Sequence, residues 1–267
     1  KEILGTITSH LGDHGIARLA QAGRASYEMA QETCILSQYL TRFTFNGHKG
    51  AVLSVATYAQ DGQIRIVSGS VDETAQIWND RGKKLATLAN LDCVCCIAAS
   101  NQDQKIRIAT GSPAVNQVRI WDSEGKCLAT LYDRVNSISI YEQDNKTLTL
   151  TGSQDNKARI WNDKAECIAT LVEHSSDILS VATYKKDNKI QIITGSWDNT
   201  ARIWNDQGTC LATLVGHSDG VRSVATYEQN GQTLIVSGSH DNTAKIWNNK
   251  GVCLNTLVGH SSGVHSI

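Results

Sequence analysis

Short apolar, β-branched runs alternate with polar turns along most of this chain. From Gly220 onward the order is GVRSVATY (220–227), the turn EQNGQ, TLIVSGS (233–239), the loop HDNT, AKIWN (244–248), the turn NKG and VCLNTLV (252–258). Runs of this length bounded by turn residues predict antiparallel strands joined by hairpins. Asp-Gly at 61–62, Asp-Asn at 144–145 and 187–188, and Asn-Gly at 230–231 supply residues that tolerate the positive φ of two-residue hairpin turns. No long helical pattern separates the runs, which excludes a parallel α/β arrangement.

The same pattern recurs. Trp78, Trp121, Trp161, Trp204 and Trp247 stand at intervals of 43, 40, 43 and 43 residues, each followed by Asn or Asp. SGSVDETAQIWN, TGSQDNKARIWN, TGSWDNTARIWN and SGSHDNTAKIWN align without gaps, and TGSPAVNQVRIWD fits with one extra residue. A single four-stranded sheet cannot bury both of its faces, so successive units must stack around an axis.

A period of this length, with Trp-Asp or Trp-Asn and an upstream Gly-His, resembles the WD-repeat family over roughly residues 40–267. The resemblance implies an all-β propeller at 39–267. Its blades are expected at about 47–88, 89–131, 132–171, 172–214 and 215–257, with a partial one at 258–267 and a closing strand at 40–45. Five blades are complete and the sixth only begun, so the chain is expected to be a piece of a longer protein of six to eight blades. The resemblance also implies a hydrogen-bonded set within a blade, because a buried indole N–H needs an acceptor. The sets are His48, Ser68, Asp72 and Trp78; His174, Thr194, Asp198 and Trp204; and His217, Ser237, Asp241 and Trp247. Such a set repeats in three blades, unlike a hydrolase triad, and no catalytic residue is expected.

Two blades depart from the pattern. In the second, Ala89-Asn90 replaces Gly-His, and the loop SPAVNQ (112–117) lacks the Asp and holds the chain's one proline. In the third, LYDRVNSIS has lost three residues and the His, while Thr151, Asp155 and Trp161 remain. These changes read either as drift in weak blades or as a reshaped patch on one face.

Partners of the resembled family sit on the rim made by the His and Asp loops. That implies contact positions at Val71, Gln154, Trp197 and His240, before the Asp, and near the first-strand bulge at Leu53, Cys95, Asn136, Leu179, Arg222 and His265. Trp197 is expected either to touch a partner or to pack between blades. Arg119, Arg159, Arg202 and Lys245, two residues before each Trp, are expected to form a solvated row.

The first forty residues differ in texture. Ile3, Leu4, Ile7 and Leu11, then Ile16 and Leu19 after Gly12-Asp13, fall at helical spacing. Residues 1–38 read either as a helical hairpin covering the disc or as an F-box-like segment. Glu2-Ile3-Leu4, Ile7, Leu11, Asp13, Ile16, Leu19, Arg24 and Tyr27 carry the F-box resemblance. It implies docking on a Skp-type adaptor through Ile3, Leu4, Ile7, Leu11, Ile16 and Leu19, with the propeller presenting an unknown substrate protein to a cullin-type ubiquitin ligase. The other function carried forward is a general WD-repeat scaffold for complex assembly with no ubiquitin role.

Composition narrows the rest. A net charge of −1 gives no basic field for nucleic acid or an anionic membrane. No run of about 18 apolar residues is present to span a bilayer. Eight cysteines without zinc spacing point to free thiols, no metal and no cofactor, and an intracellular setting, cytoplasmic or nuclear. Cys127, Cys167, Cys210 and Cys253, six residues after successive tryptophans, are expected at a recurring buried spot.

Overall fold

Each repeat tryptophan lies in the third strand of its own four-stranded sheet. The first blade comprises β1 (Val52–Gln60), β2 (Gln63–Ser70), β3 (Thr74–Asn79) and β4 (Lys84–Ala89). The second comprises β5 (Cys96–Gln102), β6 (Lys105–Ser112), β7 (Gln117–Trp121) and β8 (Cys127–Tyr132). The third comprises β9 (Val135–Gln143), β10 (Lys146–Ser153), β11 (Ala158–Trp161) and β12 (Cys167–Leu171). The fourth comprises β13 (Ile178–Lys186), β14 (Lys189–Ser196), β15 (Ala201–Asn205) and β16 (Cys210–Leu214). The fifth comprises β17 (Val221–Gln229), β18 (Gln232–Ser239), β19 (Ala244–Asn248) and β20 (Cys253–Leu257). In every sheet the strand order follows the chain, which makes each a meander.

This computed structural model describes residues 44–89, 92–102, 105–186 and 189–267. The F-box-like segment 1–38, with Ile3, Leu4, Ile7, Leu11, Ile16 and Leu19, lies outside the described residues, as do Asn90 and the Asp-Asn turn at 187–188. Of the expected closing strand at 40–45, Thr44 and Phe45 are described, and neither belongs to a strand. Phe45 instead turns its ring edge-on to Trp78, with centroids 5.6 Å apart.

The hairpin turns follow the predicted chemistry. Asp61 and Gly62 have φ of 50° and 70°, Asp144 and Asn145 of 50° and 59°, and Asn230 and Gly231 of 51° and 72°. Positive φ at both central residues matches the right-handed twist of the flanking strands.

The first strands β1, β5, β9, β13 and β17 pack side by side in that order, and each second strand leans on the first strand of the next blade. First strands are therefore innermost and fourth strands outermost. The apolar core is divided among the four blade junctions. Tyr58, Val67, Ile77 and Leu88 of the first blade close on Val94, Ile108 and Trp121 of the second. Trp161, Trp204 and Trp247 occupy the same place at the following junctions. Each of Trp121, Trp161, Trp204 and Trp247 thus belongs to one sheet and fills the gap to the sheet before it.

A polar pin crosses most junctions. The hydroxyl oxygens of Ser54, Ser137, Ser180 and Ser223 accept backbone N–H groups from Ile97, Val181, Val224 and Ile267 of the following repeat, at 3.1 to 3.2 Å. The register places Cys96 opposite Gly111, where the other blades carry this serine opposite glycine. Val264 N–H also bonds Ser239 C=O at 2.8 Å, as Val94 N–H bonds Ser70 C=O.

Candidate functional site

The first, fourth and fifth blades contain the expected hydrogen-bonded sets. An ionised carboxylate only accepts, so His Nδ1 carries the proton and Nε2 accepts from the Ser or Thr hydroxyl. His48 Nδ1 donates to Asp72 Oδ2 at 3.0 Å, and Ser68 bridges His48 Nε2 and Trp78 Nε1, both at 2.8 Å. His174 reaches Asp198 and Thr194 at 2.7 Å each, and Trp204 donates to Thr194 at 2.9 Å. His217 reaches Asp241 at 2.8 Å and Ser237 at 2.7 Å, and Trp247 donates to Ser237 at 2.7 Å. Ser68, Thr194 and Ser237 are buried, and each hydroxyl is occupied on both sides. This geometry ties loops together and presents no nucleophile to solvent.

Each Asp also gathers neighbouring donors. Asp72 accepts from Thr74 Oγ1 at 2.7 Å and Lys49 N–H at 2.7 Å, and Asp198 and Asp241 repeat the plan with Thr200, Ser175, Thr243 and Ser218. Burial alone would raise these carboxyls. The hydrogen bonds from the Thr hydroxyl, the His and the loop N–H outweigh it and hold all three well below the usual carboxylate range. At His217, burial lowers the imidazole's proton affinity, and Asp241 offsets this only in part.

Stability is therefore expected to fall with acid in two stages. The unfolded chain protonates His near pH 6.5, whereas folded His217 stays neutral to lower pH, so its contribution is complete above that pH and declines below it. The three depressed aspartates add a steeper loss once pH falls below about 4, where unfolded carboxylates take up protons. Melting temperature measured from pH 8 to 3 checks this, with His217→Gln showing a shallower decline between pH 7 and 5. A melting temperature that rises on acidification through pH 6 would contradict it.

The third blade solves the loss of its His differently from expectation. Asp133 occupies the place, only 6% exposed, and its Oδ2 accepts the Thr151 hydroxyl at 2.6 Å, while Thr151 accepts Trp161 Nε1 at 2.9 Å. Arg159 Nη1 then donates to Asp133 Oδ1 at 2.9 Å, and Nη2 pairs with Asp155. Burial would raise the Asp155 carboxyl, but Arg159 outweighs it and lowers it. Arg159 is accordingly the central donor of a partly buried network, with Asp133 at its buried end and Asp155 at its exposed end. In the second blade Trp121 Nε1 donates to Thr110 at 2.8 Å, and the sequence carries neither a His nor an Asp at the positions those residues hold in the other sets. The altered loops of these two blades come together. Val115 and Asn116 line one open hollow of about 500 Å³ with Tyr132, Asp133, Arg134 and Arg159.

The residue after each Trp has a role that spacing alone did not reveal. The side-chain oxygens of Asn79, Asp122, Asn162, Asn205 and Asn248 accept the N–H groups two and four residues on, at 2.8 to 3.1 Å, which closes every turn between third and fourth strands. A short acceptor at that position was the available signal.

The repeated cysteines are not at a buried spot. Cys127, Cys167 and Cys253 are exposed and Cys210 is half-buried. They open the outermost strands at a bulge opposite the Trp, where the thiol lies against the carbonyl two residues on, at 3.4 to 3.6 Å.

The expected rim positions fall on one edge of the sheets. Leu53, Asn136, Leu179 and Arg222 are the extra residues at first-strand bulges. The N–H groups of Val71, Gln154, Trp197 and His240 bond the carbonyls of Ala51, Arg134, Asp177 and Gly220, which sets the two groups beside each other. Gln154 donates to Asn136 at 2.9 Å. Leu53 and Val71 are exposed, and Leu179 is half-buried. Trp197 stacks on His240 at 4.8 Å and 17°, and the Arg222 guanidinium lies 5.2 Å from the indole ring. Arg222 Nε also donates to His265 Nδ1 at 3.1 Å, and His265 meets His240 edge-on at 5.0 Å. Trp197 lies against Gly220, where any side chain would collide with the indole. Trp197 packs between blades and keeps 37% of its surface exposed.

Among the described residues no His, Cys, Asp and Glu group is arranged to hold a metal ion, and no helix is long and apolar enough to cross a membrane. The family described as WD domain, G-beta repeat matches at residues 40–79, 125–162, 165–205 and 208–248. THO complex subunit 3 of Arabidopsis thaliana is 31% identical over 134 residues, covering 48% of this chain and 41% of that protein, so the chain spans less than half of that relative's length. The unmatched stretch 80–124 holds the blade with the altered loops, yet Trp121, Thr110 and Asp122 keep the shared bonds there. Four repeats matched in sequence, and a fifth built on the same bonds, show that the chain belongs to the WD domain, G-beta repeat family.

Proposed function

We propose that this protein is a non-catalytic scaffold for assembling a multi-protein complex, and that a protein partner seats on the rim of the fourth and fifth blades. The observation that carries this is Trp197, a half-exposed indole held in one orientation by His240 and Arg222. Trp and Arg dominate interface energies when such pre-ordered groups meet a partner. Leu179, Leu53, Val71 and Gln154 extend the surface along the same edge. The likeness to a protein named as a complex subunit supports assembly as the role. The free thiols at all seven described cysteines suit an intracellular setting.

Crosslinking mass spectrometry on the affinity-purified full-length protein tests the rim. Trp197→Ala is expected to weaken partner binding by at least about 2 kcal/mol, roughly 30-fold in Kd, with little change in melting temperature. Undiminished recovery of every partner with both Trp197→Ala and Arg222→Ala would remove the rim from the account.

A second reading rests on the F-box resemblance of residues 1–38: a substrate receptor of a cullin-type ubiquitin ligase, docked on a Skp-type adaptor. It differs from the first in requiring adaptor binding that disappears with Leu4→Lys or Ile16→Lys.

A further inference from the structure

The rim of the second blade lacks one backbone bond that the other four share. The chain between β4 and β5 includes Cys93, Val94 and Cys95, with Cys96 opening β5; Val94 N–H bonds Ser70 C=O at 2.9 Å, Cys95 N–H bonds Gly111 C=O at 3.0 Å, and Ser112 Oγ donates to Asp92 C=O at 3.4 Å. In the first, third, fourth and fifth blades an N–H from the loop after the second strand bonds the carbonyl just before the first strand. In the second blade that donor position is Pro113, which has no N–H to give to Cys93 C=O. Cys95 follows Val94 as Leu53 follows Val52 and Arg222 follows Val221, and Cys93 stands where Gly220 lies under Trp197. The pair therefore occupies the partner-facing edge, half-buried and reachable by a small molecule.

The two sulfur atoms touch. Cys93 Sγ and Cys95 Sγ are 3.2 Å apart, whereas Cys96 is buried at the junction with Val135 and Trp161. Bond formation requires the sulfurs to close to about 2.05 Å, a movement of roughly one ångström.

We propose that Cys93 and Cys95 form a redox-reactive dithiol that closes to an intramolecular disulfide when it meets a small-molecule disulfide such as oxidised glutathione. Cys93 is the attacking sulfur and Cys95 the resolving one. The Cys93 thiolate attacks one sulfur of the oxidant, whose S–S bond breaks and releases one small thiol after protonation. Cys95 then loses its proton and attacks Cys93 Sγ, forming the Cys93–Cys95 bond and expelling the second small thiol. Two protein thiols are oxidised and one small disulfide is reduced to two thiols. Burial, followed by the neighbouring Cys93, pushes the Cys95 thiol up, which disfavours Cys95 as the first attacking thiolate. The proposal is independent of which partner the rim binds.

The test uses the whole chain carrying Cys96→Ser, a mild change because the other blades place serine there. The protein is equilibrated with reduced and oxidised glutathione, free thiols are alkylated, and the peptide spanning Cys93 and Cys95 is read by mass spectrometry. Expected is a peptide two hydrogens lighter and unalkylated at both cysteines, restored by dithiothreitol. Adding Cys95→Ser should trap glutathione on Cys93, and adding Cys93→Ser should leave Cys95 free. The wild-type chain, measured in parallel, reports on the same peptide whether or not a variant folds. Alkylation of both cysteines after oxidation, or bonding of either to a different cysteine, would overturn the proposal.

Discussion

Replacing Trp204 by alanine is expected to remove roughly 3–5 kcal/mol of folding stability, the range for emptying a large buried aromatic site. Trp204 is fully buried and sits in the junction core with Leu150, Ile160 and Leu171 of the third blade and Ile178 of its own. The gap cannot collapse easily, because β13 and β14 are fixed on one side by Ser137 pinning Val181 and on the other by the His174–Asp198 bond. The hydrogen bond itself is the smaller part. Trp204→Phe keeps most of the apolar contact and deletes only the Nε1–H donated to Thr194, so its net bond contribution is about 1 kcal/mol. Since small proteins have only about 5–15 kcal/mol in total, the alanine variant should show a far lower denaturation midpoint in urea than the phenylalanine variant. A difference between the two below about 1 kcal/mol would mean that the blades are not held mainly by apolar filling at their junctions.

How much of this was legible in sequence depended on whether the signal was local. The tryptophan spacing placed one sheet per repeat, and Asp61-Gly62, Asp144-Asn145 and Asn230-Gly231 marked their turns through backbone preference alone. The bulge positions at Leu53, Leu179 and Arg222 were also placed correctly, by register with the repeats. What failed was what depends on packing across the chain. Cys127, Cys167 and Cys253 are small and semi-apolar, and nothing in their alternation says that the fourth strand has no sheet beyond it. Asp133 was hidden because a three-residue deletion breaks the alignment there, so its carboxylate met Thr151 only in three dimensions. The stacking of Trp197 on His240 likewise joins residues from successive repeats, and periodicity alone gives both positions the same name without saying that they touch.

Arg159→Ala is expected to be the most damaging single change to a charged residue in the propeller. Asp133 is a buried carboxylate whose two oxygens are satisfied by Thr151 and Arg159, and deleting the guanidinium leaves one oxygen and a full charge without a cationic partner. Breaking a buried pair in this way costs about 3–5 kcal/mol, and the low end applies because the Arg159 side chain keeps 19% of its exposure. The same substitution at Arg202 should cost less than about 1 kcal/mol, since its partner Glu173 has a side chain 52% exposed and can turn to water. The two arginines align in the repeat, and what separates them is that Arg159 pairs with the buried Asp133 as well as with Asp155, whereas Arg202 pairs with the exposed Glu173. A double variant, Arg159→Ala with Asp133→Asn, discriminates lost packing from stranded charge. The introduced amide would still accept the Thr151 hydroxyl and carries no charge, so the double variant should regain more than half of the loss in urea denaturation. If it is no more stable than Arg159→Ala, the harm comes from the missing side-chain volume, and the carboxylate is not what replaces histidine in this blade.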